Sequence, residues 1–581
     1  MKNWTIQETD ANLLLMSEVL NVSETMACVM ANRGLRSKKT ALSFLSPSIQ
    51  RMGNIFEMKD AKKTLERIVN AIKNKEKIVI FGDYDVDGIM GIVILYKVLN
   101  YLEADVSYYI PHRVEEGYGM SIKAVDKLAG TNLIITIDNG IAAIAEIQRA
   151  TELGIDTIVI DHHEPGFSDE TGTRVDILPT AVAIIDPKQS ECTYPFKELC
   201  AGGLAYKLAI TLCEYMKKPF IHHDECLMLA ALASICDIVP LIEENRIIVN
   251  CGLVLLNANK LLNKGIGALL GIRGYMDKPI DTFTIGFVIG PCLNATGRLE
   301  SANMSVELLI TDDSPARMKL AHELTELNDM RKKLTSDCVE RALATLPTEY
   351  PKVLVIADEE AHESVAGIVA GRIRESTNRP TILLTQGDGA MKGSGRSIEG
   401  YNLFESLYAH KHLFTRFGGH AMAAGLTLPP ENISTLREAL NNDCILTESD
   451  FQPTLKIDRE LTIDDITLTL SDELTRLAPF GRDNKEPLFV TYGIFVESVR
   501  ILDEKKTLIF TFSQNSRKLK GIAFGLNDSY SLATEEAGVE KTGGFYMDIV
   551  YGIETNVFNN SVSVQVRIRD FKITRETLHF L

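Results

Sequence analysis

No run of apolar residues in this chain approaches the ~18 that a membrane-crossing helix needs, and Met1-Lys2-Asn3-Trp4-Thr5 opens no basic-then-apolar leader. Both absences predict a cytoplasmic protein with no membrane partner. Cys28, Cys192, Cys200, Cys213, Cys226, Cys236, Cys251, Cys292, Cys338 and Cys444 include no Cys-x-x-Cys pair. That argues against zinc and suits buried thiols in a reducing compartment. No internal repeat or low-complexity tract is evident. Positive charge is short as well: 61 Lys+Arg stand against 78 Asp+Glu, a net −17, which argues against wrapping a polyanion by bulk charge. What is present, 45% apolar and 24% charged residues, is ordinary globular composition. At roughly 100–200 residues per domain, the 581 residues suggest about three or four domains.

From about residue 77 to 240, short Val- and Ile-rich runs alternate with amphipathic stretches, the pattern of a parallel sheet with crossover helices. Ile78-Val79-Ile80-Phe81 reads as a strand running into Gly82-Asp83-Tyr84-Asp85-Val86-Asp87-Gly88. Strands over 133–137, 157–160 and 181–185 end in Asp138-Asn139-Gly140, Asp161-His162-His163 and Asp186-Pro187. Carboxyl ends of parallel strands converge on one edge, where open α/β sheets bind ligands, so these acids and imidazoles are expected at one crevice. Residues 201–216 and 225–239 read as buried helices, the second carrying Asp237, an ionisable group that is costly there unless paired or metal-bound. A charged helix over 316–346 leads to a second α/β region opening at Lys352. That region contains the Gly-rich strings Lys392-Gly-Ser-Gly-Arg-Ser397 and Phe417-Gly-Gly-His420. After about 450, short strands rich in β-branched and aromatic residues read as a small β barrel or sandwich.

Asp83, Asp85 and Asp87 alternate in a loop after a strand. Three carboxylates that close repel one another, and a hard cation between them relieves the repulsion; taken alone, the triplet also fits a solvated acidic turn. Asp161-His162-His163 brings imidazoles to the same edge. With Asp138 and Asp237 the set suits two divalent cations, Mn2+ or Mg2+, better than zinc. Two such ions about 3.5–4 Å apart bridge a phosphoryl oxygen, activate water and stabilise a leaving oxygen. The implied reaction is phosphoester hydrolysis.

The strings Gly82-Asp-Tyr-Asp-Val-Asp-Gly88, Asp138-Asn-Gly140, Asp161-His-His163 and Asp237-Ile-Val-Pro-Leu241 resemble the four motifs of the DHH phosphoesterase superfamily. Gly290-Pro-Cys-Leu-Asn-Ala-Thr-Gly-Arg-Leu299, His362-Glu-Ser-Val-Ala-Gly-Ile-Val-Ala370, Lys392-Gly-Ser-Gly-Arg-Ser397 and Arg416-Phe-Gly-Gly-His-Ala-Met-Ala-Ala-Gly425 resemble its RecJ-like branch of single-strand-specific exonucleases. The resemblance implies an α/β protein: a parallel-sheet DHH domain with the N-terminal segment (1–310), a connecting helix (311–346), a DHHA1-like domain (347–448) and an OB-like β domain (449–581). It implies Asp83, Asp85, Asp87, Asp138, His162 and Asp237 as metal ligands, Asp161 as a group that orients an imidazole, and His163 as a donor to a phosphate oxygen. It implies 5′→3′ hydrolysis of single-stranded DNA to 5′-mononucleotides, in recombination and repair, with water as the nucleophile.

For DNA, the resemblance singles out Arg113 to grip a terminal phosphate and Tyr118 to stack on a base, with core packing as the alternative for Tyr118. Arg298, His362, Ser394, Arg396, Ser397 and His420 are further contacts, and His362 fits a structural role equally. A helicase and a single-strand-binding protein are candidate partners. Two positions depart from the family pattern: Cys292 stands where relatives carry Arg, and Asp483 replaces a Gly in Pro479-Phe-Gly-Arg-Asp-Asn484. A phosphodiesterase for short RNA or cyclic dinucleotides is the alternative within the enzyme class, and the 450–581 tail argues against it. An inert DNA-binding scaffold would show eroded ligands. His222-His223-Asp224 reads as a helix start with Asp224 as N-cap. Lys505-Lys506 and Arg517-Lys-Leu-Lys520, with Phe510 and Phe512, suit either a nucleic-acid face or a solvated hairpin. Against the acidic whole, the segment 391–420 carries four Lys/Arg and three His against two Glu.

Overall fold

In the computed structural model the expected strands pair into a five-stranded sheet: β1 (Lys77–Phe81), β2 (Asp105–Tyr109), β3 (Leu133–Ile137), β4 (Asp156–Ile160) and β5 (Ala183–Ile185), in the order β2-β1-β3-β4-β5. Every neighbouring pair is parallel. All five residues of β3 are buried, which is why the central strands read as unbroken apolar runs rather than alternating ones. The structure describes residues 2–9, 12–112, 116–117, 119–168, 174–387, 389–502, 506–515, 517–558 and 561–574. Among them, no single helix is long and apolar enough to cross a membrane.

Helices α1 (Val86–Tyr101), α2 (Ala201–Tyr215) and α3 (His223–Cys236) pack on one another beside this sheet. The N-cap of α3 is His222 rather than Asp224; Asp224 sits in the first turn, its Oδ1 2.9 Å from His223 Nδ1. Helix α4 (Gly290–Leu299) precedes the 31-residue α5 (Ser314–Ala344). The second α/β region is built from β6 (Leu354–Ala357), α6 (Ala366–Thr377), β7 (Thr381–Gln386), β8 (Met391–Arg396), α7 (Leu403–Ala409), β9 (Arg416–His420) and β10 (Ala423–Leu428). Its sheet order is β9-β10-β8-β7-β6. The Gly-rich strings are thus paired strands. Cβ atoms added at Gly393 and Gly395 would lie 2.7 Å from Leu384 Cδ2 and 2.6 Å from Leu403 Cδ2. Strand alternation turns these glycines to the core and Ser394 and Arg396 to the other face.

The C-terminal strands β11 (Phe489–Leu502), β12 (Thr507–Gln514), β13 (Arg517–Phe524), β14 (Phe545–Phe558) and β15 (Ser561–Thr574) close into a barrel, because β14 pairs with both β15 and β11. Phe510 and Phe512 are fully buried, rings stacked at 5.3 Å, so they fill the barrel and form no nucleic-acid face. Lys518 pairs with Glu497 (2.6 Å), and Arg517 donates to the carbonyls of Asp464 and Ile466; Lys505 lies outside the described residues.

The chain divides into two compact units: an α/β unit (49–239 and 247–452) and a barrel unit (1–48, 240–246 and 453–581). This departs from the expected grouping of 1–310. The strand Asn3–Ile6 pairs in parallel with Thr454–Ile457, and Met26, Val29 and Met30 share a core with Phe489 and Phe510. An apolar helix face declares that it needs a partner, not which one. Arg246 is the hub of this unit: its guanidinium donates to the carbonyls of Phe44, Leu477 and Ala478 at 2.8–2.9 Å and lies 3.7 Å from the Phe44 ring centroid. Asp483, at φ 58°, takes the left-handed conformation that Gly adopts freely and Asp tolerates. The turn is therefore kept, with Asn484 Nδ2 donating to Leu477 O and Pro479 O.

Candidate metal centre and strand cleft

The crevice is assembled from strand ends and helix ends. Asp85 caps α1, its Oδ1 accepting from the amides of Asp87 (2.9 Å) and Gly88 (3.2 Å). The Asp87 carboxylate meets the start of α2, where Ala201 N and Gly202 N donate to Oδ2 and Oδ1 at 2.8 and 2.7 Å, a helix N-terminus holding an anion. Gly202 is required there: a Cβ would lie 2.5 Å from Ala233 Cβ and 3.1 Å from Asp87 Oδ1. Asp138 follows β3 at φ 63° and is buried. His162 follows β4, with Nε2 3.1 Å from Asp138 Oδ1 and 3.6 Å from Asp87 Oδ2, and Nδ1 3.8 Å from Asp237 Oδ2. Asp237 is the C-cap of α3. Three overlapping sets result, Asp83/Asp85/Asp138, Asp87/His162/Asp237 and Asp138/His162/His163, each with ligand atoms within 4.8 Å of one another.

Asp161 belongs to none of these sets. Its Oδ2 accepts from Ile141 N (2.9 Å), and its Oδ1 accepts from His162 N (2.8 Å) and lies 2.7 Å from His163 Nδ1. Burial works against its charge, but the bond with His163 holds its carboxyl below the usual range. His163 in turn is raised to about 9, its burial outweighed by Asp161 and by the nearby Asp237 and Asp87.

The other groups move the opposite way. Burial, then Asp85, raises Asp87 to about 6 against the pull of the Gly202 and Ala201 amides. Burial, then Asp87 and Asp85, raises Asp237 to about 8, and Asp138 rises well above the carboxylate range through burial and four neighbouring acids. His162 is pushed down to about 3 by burial and His163, and its Nε2 lies within hydrogen-bonding distance of Asp138 Oδ1. An imidazole beside carboxylates whose charge is opposed by burial and mutual repulsion is a donor set that fits divalent cations, which would remove the repulsion.

Helix α4 links this crevice to the second sheet. Asn294 and Arg298, one turn apart on one face, reach in two directions: Asn294 Oδ1 accepts from Val86 N (3.0 Å), holding the loop of Asp85, and Arg298 donates to Ser364 O (2.9 Å). Cys292, on the same helix, is buried and donates to Val288 O, with the Arg273 guanidinium 3.6 Å from its Sγ. A cleft of about 790 Å³ opens beside Arg298, lined by His362, Ser394, Arg396, Thr385, Lys392, Arg416 and Phe417 among others. Arg396 is pinned by bonds to Ser394 Oγ (3.2 Å) and Gly395 O (2.8 Å), and His362 Nδ1 lies 2.7 Å from Ser364 Oγ.

Two expected contacts are not brought to this cleft. Ser397 is buried and donates to Tyr401 O (2.6 Å), since alternation turns it inward after Arg396. His420 sits exposed at the end of β9, outside the cleft lining. Arg113 and Tyr118 lie outside the described residues. Asn294, Lys392 and Arg416 were not singled out from the sequence. Nothing in the sequence sets Asn294 apart from Thr296 and Arg298 on the same helix, and the two cations look like any surface charge.

A parallel sheet whose carboxyl edge gathers aspartates and a His-His pair, joined by a long helix to a second α/β domain, defines a DHH-type phosphoesterase. The family model of the DHH N-terminal domain matches residues 77–234, that of the DHHA1 domain 350–445 and that of the RecJ OB domain 457–570. The chain is 36% identical over 581 residues to the single-stranded-DNA-specific exonuclease RecJ of Bacillus subtilis, covering 98% of this chain and 71% of that one. To the Escherichia coli protein of the same name it is 31% identical over 570 residues, covering 93% and 94%. The crystal structure of Thermus thermophilus RecJ in complex with Mn2+ superposes with a TM-score of 0.83 at 27% identity, covering 99% of this chain and 80% of that one. The chain belongs to the RecJ family.

Proposed function

We infer that this protein is a metal-dependent exonuclease that degrades single-stranded DNA from the 5′ end and releases 5′-mononucleotides, in recombination and repair in the cytoplasm. The observation that carries this reading is the convergence of Asp83, Asp85, Asp87, Asp138, His162 and Asp237 on one crevice. These six side chains would hold two Mn2+ or Mg2+ ions. When bound, the ions supply Lewis-acid activation of water and of the phosphoryl group, and charge for the leaving oxygen.

The chain's own groups bind and orient. Asp161 holds His163 through Nδ1, so that its Nε2–H donates to a non-bridging phosphate oxygen, and an imidazole raised to about 9 keeps that proton at neutral pH. Arg298 and Arg396, both in the cleft lining, grip backbone phosphates, and Ser394 fixes the Arg396 guanidinium. A confined cleft that admits one strand would give strand specificity by shape. Residues 347–448 act as the nucleic-acid-binding domain, 311–346 as its connector and 449–581 as the OB-like domain. A helicase and a single-strand-binding protein would supply the strand.

A manganese titration with 5′-phosphorylated single-stranded DNA, alongside the same sequence as a blunt duplex, tests this. Metal-dependent release of mononucleotides from the single strand is expected, with kcat/KM lowered at least about a hundredfold in Asp87→Ala and Asp138→Ala. Equal digestion of the duplex, or full activity in either variant, would overturn the reading.

A further inference from the structure

The cleft does not end at its lining. Phe417 and Arg416 belong to its wall, and from Phe417 an aromatic cluster continues onto the surface of the second α/β domain. The Phe417 ring lies 6.0 Å from Phe404 and 6.3 Å from Tyr408, and Phe404 lies 6.2 Å from Tyr408, centroid to centroid. Helix α7 explains the arrangement: Leu403 and Leu407 are buried, which turns Phe404 and Tyr408, four residues apart, to the other face. Phe417 rests on the domain core, but Tyr408 is 54% exposed. Lys411 Nζ stands 5.0 Å from the Tyr408 ring centroid. Strand β9, which carries Arg416 and Phe417, is an edge strand, and a Cβ added at Gly418 would meet nothing within 4 Å, so the surface beside Phe417 is open.

We propose that Phe417, Phe404 and Tyr408, flanked by Arg416 and Lys411, form a stacking track for the nucleotides of a single strand that lie 3′ of the cleft. The proposal rests on the exonuclease reading above and extends its substrate site beyond the cleft. Three arguments favour a nucleic acid over another occupant. The track continues from the cleft without a break in aromatic contact. Its charge is complementary: Arg416, Lys411 and His412 are exposed, while of the nearby acids Asp443 is paired with His410 (2.9 Å) and Glu363 with Lys392 (2.8 Å), leaving Glu405 as the exposed acid on α7. Finally, aromatic stacking is indifferent to base identity, which suits an enzyme that must advance through every sequence, whereas base-edge hydrogen bonds would make it pause.

The test uses the full chain with Mn2+ and 5′-phosphorylated oligothymidylates of about 6 and about 20 nucleotides, short enough to end within the cleft and long enough to leave it. The readout is the ratio of kcat/KM for the long to the short substrate. The wild type is expected to favour the long one. Tyr408→Ala should lower the ratio about tenfold, the worth of one stacked base, while Tyr408→Phe preserves it. Lys411→Gln should lower the ratio and flatten its dependence on salt. A wild-type ratio in Tyr408→Ala, or no length preference in the wild type, overturns the track. So does a change in the sedimentation of Tyr408→Ala with no change in ratio, which would mark the patch as a self-association surface. Absence of cleavage of either oligomer by the wild type would instead sink the exonuclease reading itself.

Discussion

The Asp87 and Asp237 side chains make the stability of the metal-free protein depend on pH in an unusual direction. Both carboxyls titrate above their unfolded value, at about 6 and about 8, so the folded state binds protons more tightly than the unfolded one. Their contribution is therefore favourable in acid and is lost as pH rises through about 4 to about 8. A divalent cation at these ligands removes the same repulsion. Added Mn2+ or Mg2+ is accordingly expected to raise Tm little near pH 5 and most above about pH 8, by differential scanning fluorimetry; an increment that shrinks with rising pH would contradict the assignment. The aspartates were legible in the sequence because a parallel strand that ends in a polar turn can place those residues only at the carboxyl edge of the sheet. Ser397 is turned inward because the Gly-rich string is a strand to Arg396, whose two-residue period, carried one residue on, sends Arg396 out and Ser397 in, which composition does not show.

At the scale of elements, α4 does the coupling. Asn294 accepts from Val86 N at the first turn of α1, and its removal would leave that amide without its acceptor and release the loop of Asp85. Asn294→Ala is expected to raise the Mn2+ concentration for half-maximal activity about 10- to 100-fold, the usual effect of losing a group that orients a metal ligand. An unshifted metal titration would show that the loop holds itself. The existence of α1 to α3 and of the parallel strands could be read from hydrophobic periodicity. The capping of α3 by His222 and the inward Phe510–Phe512 pair could not, since capping and barrel closure depend on neighbours distant in sequence. Cys292 illustrates the same limit: the sequence shows a missing arginine, and only the fold shows that another, Arg273, approaches the thiol from outside α4.

Across the whole molecule, the barrel unit is assembled from three separate stretches of chain, and Arg246 satisfies the carbonyls where two of them meet the third. Arg246→Ala would take the guanidinium donor from the carbonyls of Phe44 and Ala478 and empty the space over the Phe44 ring. It is expected to destabilise the unit by about 3–5 kcal/mol, measured by denaturant unfolding, with Arg246→Lys recovering only part because a single ammonium cannot reproduce the planar fork. The net −17 is also a property of the whole that misleads about its parts, since the cleft and the surface beside it are locally cationic. The threading of the barrel unit has a consequence for biosynthesis. Its first 48 residues share a core with strands that emerge from the ribosome much later. At about 5–20 residues per second, roughly half a minute to two minutes separate the emergence of Met26, Val29 and Met30 from that of their partners. Until those partners emerge, the apolar face of this helix has nothing to bury it, so the barrel unit can complete its core only after the α/β unit has been synthesised.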